Sequence, residues 1–240
     1  MASVQAPRYR EVADALQRQI AAGELGPHDR LESERDIADR FGLSRMTARQ
    51  AVELLARRGL VYRRPGSGTY VSPPRVVHSL ERLAGFSEQM RLQGIHPRGR
   101  VLEMRTTSEP GAAARRALGL GTGDAAWIVR RLRYGDDEPL LLETFWVPRQ
   151  VCPKLDPDEL ADRSLYTVMR GRYGIEPASA ETSLEPAALN PTDARHLTTR
   201  PGSPAILVVR TTRDATGRPI EFARDLYRGD RARFDLTLRA

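Results

Sequence analysis

Hydrophobic positions along the first 71 residues repeat with the period of a helix, three times over. Tyr9, Val12, Leu16 and Ile20 sit at i, i+3/i+4 spacing, one apolar stripe that Gly23 ends. Ser33-Glu34-Arg35-Asp36 reads as a second start, with Ser33 as N-cap and Asp36 in the first turn. Ile37, Ala38 and Phe41 give that helix its buried face, and Gly42 supplies a left-handed stop. After Leu43, Ser44 caps a third helix whose Ala48, Ala51, Val52 and Leu55 share one face and which closes at Gly59. Two short capped helices across a tight glycine turn are the helix-turn-helix pattern. The pattern then changes to β-prone runs, Leu60–Arg63 and Thr69–Val71, around Arg64-Pro65-Gly66-Ser67-Gly68. That is a glycine-tipped hairpin, and a helix pair followed by a hairpin is a winged helix. Ser72-Pro73-Pro74 is a linker stiffened by its prolines.

Beyond Val76 the pattern mixes helices with paired strands. Leu80–Gln93 predicts a connecting helix, Ala112–Leu120 a helix closed by Gly121, and Ser164–Tyr173 a capped helix ended by Gly174. Ala125–Arg133 and Leu140–Val147 flank one hairpin signal, Gly135–Glu138; Ala205–Arg213 and Ile220–Tyr227 flank another, Asp214–Gly217. The expected architecture is α+β. It comprises a winged helix-turn-helix domain over 1–71, a linker and connecting helix over 72–94, and a domain over 95–240 built on an antiparallel sheet with flanking helices.

Composition excludes several classes. The 240 residues are 40% hydrophobic and 29% charged, a balance that can bury a core. No apolar run nears the roughly 20 residues that span a bilayer, and Met1–Gln5 has no apolar leader core. A single cysteine, Cys152, leaves no internal disulfide and no thiolate cluster for zinc. A cytoplasmic protein with no membrane partner, metal or cofactor is expected. Charge adds a location: between Arg40 and Arg75 eight arginines face the single acid Glu53, a surplus equal to the +7 of the whole chain. A compact basic stretch of this kind is an electrostatic footprint for nucleic acid.

The same stretch holds the candidate reading residues. Opposite the buried stripe of the third helix lie Arg45, Met46, Arg49 and Gln50, with Thr47 at the edge of the first turn. Arginine can donate to guanine and glutamine to adenine, each in bidentate fashion. Ser44, Thr47 and the free N–H groups of the helix start suit a phosphate oxygen, and Arg35 can reach the backbone beside the groove. On the hairpin, Gly66, Ser67 and Gly68 permit close approach to a phosphate, with charge from Arg63 and Arg64. Arg57 and Arg58 read as a solvated last turn interacting with the helix dipole.

Three segments, Leu31-Glu32-Ser33-Glu34-Arg35, Phe41 through Ala51, and Gly66-Ser67-Gly68-Thr69-Tyr70-Val71, resemble the winged-helix signature of GntR-type bacterial transcriptional regulators. The resemblance implies DNA contacts at Arg35, Arg45, Thr47, Arg49 and Gly66. Two positions depart from it: Glu32 stands where proline is usual, and His28 replaces the glycine of Pro-Gly-Asp.

In the second domain Arg131 and Arg133 alternate along one strand face, Glu143 lies on the facing strand, Ser164 opens a helix with Tyr166 in its first turn, and Glu221 follows the last hairpin. Two arginines and a helix start form an anion site, and two carboxylates can hold hydroxyls. Spacing alone favours a plainer reading, cross-strand ion pairs Arg131–Glu143 and Arg133–Glu221 with Ser164 a simple cap. Arg130–Tyr134, Pro139–Glu143, Ser164–Tyr166, Gly217–Glu221 and Tyr227–Asp230 resemble the UTRA effector-binding domain of the HutC-type branch, which is similar in fold to chorismate lyase. By that resemblance Arg131, Arg133 and Ser164 match residues that hold the anion in members binding sugar phosphates, and Glu143 and Glu221 match the hydroxyl-holding ones.

The expected function is a homodimeric repressor that binds a near-palindromic operator in double-stranded DNA and responds to a small anionic effector. The rival is an enzyme acting on such an anion. It has little support, because His28, His78, His96 and His196 lie far apart and neither a phosphate loop nor metal-ligand spacing occurs. A DNA-bound architectural protein without effector is a third possibility.

Overall fold

A computed structural model describes residues 7–64 and 66–238. Met1–Gln5, read above as lacking a leader, and Pro65 of the hairpin tip lie outside the described residues. The chain divides into two compact units, Met1–Pro74 and Arg75–Ala240.

The first unit runs α1 (Arg8–Ala21), α2 (Glu34–Phe41), α3 (Arg45–Arg57), β1 (Val61–Arg64) and β2 (Gly68–Val71). Its core is the set of predicted stripes: Val12 and Leu16 of α1, Ile37 of α2, and Ala48, Ala51, Val52 and Leu55 of α3, all buried. Alanines at the centre of α3 let the other helices approach closely. Ser33 accepts from the Asp36 N–H at 3.2 Å and its hydroxyl donates to the Asp36 carboxylate at 2.6 Å, so α2 is capped in both directions. Gly42 then takes the left-handed conformation, φ 64°, that turns the chain into α3. His28 occupies a left-handed position, φ 69°, and its ring Nδ1 is hydrogen-bonded to the Tyr62 hydroxyl at 3.0 Å. The resemblance puts glycine there for a conformational reason, and histidine bears that strain with a tether.

The second unit holds β3 (Val76–Ser79), α4 (Phe86–Leu92), β4 (Pro97–Thr107), α5 (Ala112–Leu118), β5 (Ala126–Gly135) and β6 (Glu138–Pro148). It continues with α6 (Pro157–Asp162), α7 (Leu165–Tyr173), β7 (Pro177–Ala188), α8 (Pro191–His196), β8 (Pro204–Asp214), β9 (Pro219–Arg228) and β10 (Ala232–Asp235). Six strands form one antiparallel sheet in the order β4-β5-β6-β9-β8-β7. It is two three-stranded meanders joined side by side through β6 and β9. One sheet face packs Val129, Phe145 and Ala223 against Leu160 of α6 and Leu165, Val168 and Met169 of α7. On the other face Leu132 and Leu142 meet Ala194 of α8, and Phe222 meets Ala114 and Leu118 of α5.

Three local expectations are corrected. The helix expected over 80–93 is confined to Phe86–Leu92. Residues 75–94 do not form a free connector either: β3 pairs in parallel with β10, and Val76, Phe86 and Met90 bury in the second unit's core. The Gln93 side chain fastens this segment by accepting from the Val77 N–H at 3.0 Å and donating to its carbonyl at 2.8 Å. The helix α5 closes at Gly119, φ 63°, and not at Gly121.

Candidate functional site

On the first unit the residues expected to meet DNA lie on the outer side of α3 and at the hairpin. Arg45, Met46, Arg49 and Gln50 are exposed, and Met46, at 61% exposure, is a large apolar side chain left in solvent. Ser44 caps α3 by accepting from the Thr47 N–H at 3.2 Å and shares a hydrogen bond with the Thr47 hydroxyl. Arg49 donates from Nε to Glu53 at 3.0 Å one turn along the helix. An exposed pair of this kind is weak, so it orients the guanidinium without holding it against a better acceptor. Arg35 is exposed beside Asp36 at 3.7 Å. At the hairpin Gly66 and Gly68 both have positive φ, and Ser67 shares a hydrogen bond with the Tyr70 hydroxyl at 2.5 Å. Arg64 lies over the Tyr62 and Tyr70 rings and Arg63 donates to Glu34 at 3.0 Å, so both arginines are ordered by the fold. Arg58 is not merely solvated: it bonds Asp14 and Gln17 of α1, each at 2.7 Å.

On the second unit all six expected residues, Arg131, Arg133, Glu143, Ser164, Tyr166 and Glu221, line one cavity. The sheet register explains the convergence. Arg131 of β5 stands opposite Glu143 of β6, which stands opposite Asp225 of β9, so one rung carries three charges onto one face. Arg133, Leu141 and Tyr227 form the neighbouring rung, and Arg210 of β8 and Glu221 of β9 project on the same side. The helix α7 closes the site with Ser164, which accepts from the Tyr166 N–H at 3.2 Å, and with the Tyr166 ring.

Arg131 is pinned. Its Nε and Nη2 reach Glu143 Oε2 at 2.8 and 2.6 Å, and its Nη1 donates to the Leu160 carbonyl at 2.6 Å. Arg133 donates to the Ser87 hydroxyl at 2.5 Å and lies over the Phe86 ring. Of the two ion pairs that spacing allowed, Arg131–Glu143 forms. Glu221 accepts instead from the hydroxyls of Tyr166 and Thr212 at 2.9 and 2.8 Å, with Arg210 at 3.7 Å. Burial alone would raise the Glu143 carboxyl, but the guanidiniums of Arg131, Arg133 and Arg210 outweigh it and hold the group below the usual carboxylate range. Burial pushes the Tyr166 phenol up, which keeps its hydroxyl protonated as a donor.

Sequence reasoning missed Arg210, Asp225, Ser87 and Gly85. The first two carried a signal, since both lie at alternate positions on strands already predicted, and Asp225 follows Glu221 at a spacing that keeps one strand face. Gly85 permits the closure: a Cβ there would lie 2.3 Å from Ser164 Oγ. The cavity is about 30 Å³, room for a water or two. An adjoining cavity of about 180 Å³ shares Ala84, Gln89, Arg210 and Tyr227 as its wall. Among the described residues no group of histidine, cysteine and acidic side chains is placed to hold a metal ion, and no helix is long and apolar enough to cross a membrane.

A capped helix pair with an arginine-bearing outer face, joined to a second unit with a charged cavity, defines a DNA-binding transcriptional regulator with a ligand-binding domain. Residues 8–71 match the bacterial regulatory proteins of the gntR family and residues 92–233 match the UTRA domain; the chain belongs to this family. It is 35% identical to the HTH-type transcriptional repressor NagR of Bacillus subtilis over 95% of this chain and 93% of that one. It is 30% identical to the mannosyl-D-glycerate transport/metabolism system repressor MngR of Escherichia coli, over 96% of this chain and 95% of that one. The crystal structure of PhnF from Mycobacterium smegmatis is similar with a TM-score of 0.66 and 27% identity, covering 95% of this chain and 99% of that one. NagR and MngR are repressors by name, and the enzyme reading finds no support among the relatives.

Proposed function

We propose that the protein is a cytoplasmic, homodimeric repressor whose two winged helices grip the half-sites of a near-palindromic operator. Arg35, Ser44, Arg45, Thr47, Arg49 and Gln50, with Gly66, Ser67 and Gly68, meet the DNA: Arg45, Arg49 and Gln50 at base edges, the others at phosphates. A small anionic metabolite, a sugar phosphate or a carboxylate, binds among Arg131, Arg133, Glu143, Ser164, Tyr166 and Glu221 and changes operator affinity. The observation that carries this reading is the gathering of three buried or nearly buried guanidiniums, Arg131, Arg133 and Arg210, around one cavity of a regulator. A ligand larger than an inorganic anion must open the wall shared with the adjoining cavity. That movement gives the bound and free forms different energies, which a ligand needs in order to shift an equilibrium.

The test begins by selecting duplexes from a random-sequence pool with the purified protein. Anisotropy titrations of the selected duplex then follow, with and without a panel of phosphorylated sugars and carboxylates. A ligand-dependent change of about 5- to 150-fold in operator affinity is expected for a coupling of roughly 1–3 kcal/mol. Selection of no duplex, or no response to any anion in the panel, overturns the reading.

A further inference from the structure

The stretch that carries the basic surplus holds one acid, and that acid stands on its outer face. Between Arg40 and Arg75, Glu53 is the only carboxylate among eight arginines. It lies one turn beyond Arg49 and Gln50, on the side of α3 that they share. Helix stability does not account for it: an acid four residues after its basic partner is the less favourable order on a helix. Facing a polyanion, its charge also costs affinity.

The contact itself is specific. Arg49 donates to Glu53 from Nε at 3.0 Å, and among the described residues nothing else bonds that guanidinium. Nε is the inner nitrogen, so Nη1 and Nη2, the end of the fork, stay available. The hydrogen bond from Arg49, with the fields of Arg49, Arg63 of β1 and Arg57 of α3, holds the Glu53 carboxyl below the usual range. Glu53 is therefore charged at neutral pH. Arg63 does not compete for it, because Arg63 donates to Glu34 of α2 at 3.0 Å.

We propose that Glu53 is a positioning residue for operator recognition: it holds Arg49 by Nε, so that the two terminal nitrogens meet a guanine end-on, and it repels the phosphates that compete for that guanidinium on arbitrary sequence. The inference rests on the base-reading role given to Arg49 above. In water the pair is weak. A duplex closing over α3 removes that water and lowers the local dielectric, which strengthens the pair. On a guanine the pair and both base bonds form together, since they use different nitrogens, and N7 and O6 are the two adjacent acceptors required. Elsewhere Arg49 either leaves its fork unpaired or swings to a phosphate, and the swing strips Glu53 of its partner beside a polyanion. The penalty thus falls on non-cognate DNA.

The test uses the full-length protein, the selected operator and a scrambled duplex in anisotropy titrations. Each operator guanine is replaced in turn by its 7-deaza analogue, which lacks the N7 acceptor. One guanine in each half-site should then cost wild type about tenfold, and Arg49→Ala no more than about twofold, as befits one bond of a bidentate pair. In Glu53→Ala the penalty at that guanine should shrink to within about threefold. Scrambled duplex should bind this variant about three- to tenfold tighter, with a salt slope steeper by about one, the signature of one more phosphate neutralised. Glu53→Gln keeps an acceptor at the same reach without the charge. It should restore the guanine penalty to about fivefold or more while sharing the tighter, more salt-dependent binding to scrambled duplex. A merely structural glutamate would move no base-specific penalty, and thermal melts by circular dichroism check that both variants fold. A guanine penalty that survives Glu53→Ala intact, or scrambled-duplex binding that does not tighten, overturns the role of Glu53 alone. If no guanine depends on Arg49 in wild type, Arg49 leaves the base-reading set and this inference falls with it.

Discussion

Replacing Gly85 with alanine puts one methyl group where the Ser164 hydroxyl stands. The backbone at Gly85, φ −73° and ψ 160°, is open to any residue, so the penalty is steric. A Cβ would lie 2.3 Å from Ser164 Oγ and 3.2 Å from Ser164 Cβ. Relief comes from swinging Ser164 away, which breaks its bond to the Tyr166 N–H and loses an N-cap worth about 1 kcal/mol. The displaced rotamer adds roughly 0.5–1.5 kcal/mol. Ser164→Ala alone costs about the same 1 kcal/mol for the lost cap. In that background the alanine at 85 meets only the Cβ at 3.2 Å, which a few tenths of an ångström relieve. The two substitutions should thus be sub-additive by about 1–2 kcal/mol, well outside the roughly 0.5 kcal/mol scatter of independent sites. Urea denaturation followed by tryptophan fluorescence reads this cleanly, because Trp127 and Trp146, the two tryptophans, both lie in the second unit. The alanine preference at a helix start is common to both backgrounds and cancels in the cycle. Additive losses, or an unpenalised Gly85→Ala in wild type, would refute the argument that this glycine exists to admit Ser164.

Other outcomes follow from the same geometry. Arg49→Ala should cost about 1–3 kcal/mol on the selected operator and far less on scrambled duplex; equal losses in an anisotropy assay would remove it from base reading. Arg133→Ala should abolish the response to anions while leaving operator affinity near wild type, and surviving release would misplace the anion site. Burial lowers the pKa of His78 to about 4, so the imidazole is neutral when folded. Below about pH 6.5 the unfolded chain takes up a proton that the folded one refuses; stability therefore falls from pH 6.5 towards 4, by up to about 3 kcal/mol. His78→Gln should lose that dependence, measured as the difference between the two proteins' urea midpoints over this range. His28→Gly should be neutral or slightly stabilising and His28→Val destabilising by about 1 kcal/mol or more, since a β-branched residue resists positive φ; thermal melts by circular dichroism would check the sign.

The first unit was legible almost residue by residue, because its information is local. Ser33, Gly42, Ser44 and Gly59 mark helix ends through their own backbone preferences, and each apolar stripe repeats within its helix. The second unit was legible where strands alternate around a turn. The strands β4 and β7 escaped notice for a physical reason: each lies at an edge, with few positions buried on either face, so Arg98, Arg100 and Glu103 or Glu181 and Glu185 leave no hydrophobic period to read. Segment 80–93 misled because Gln93 and Met90 look helical whether the helix begins at residue 80 or at 86. In the cavity, Arg131 and Glu143 could be paired from one hairpin. Asp225 faces Glu143 only because β6 and β9 are neighbours, a fact that belongs to the topology and not to any local spacing.

The join between the two meanders also bears on how the molecule assembles. Every other neighbouring pair in the six-stranded sheet is close in sequence, with at most a helix or two between its strands, whereas Trp146 and Phe222 must meet across 75 intervening residues. Contacts this distant in sequence raise contact order and make closure slow. Arg131, Arg133 and Glu143 stand on one side of the join, and Arg210, Glu221 and Asp225 on the other. A molecule bound among them would act as a clasp formed after the two halves have met. It should therefore lengthen the life of the folded state by retarding unfolding, and leave the rate of folding almost untouched.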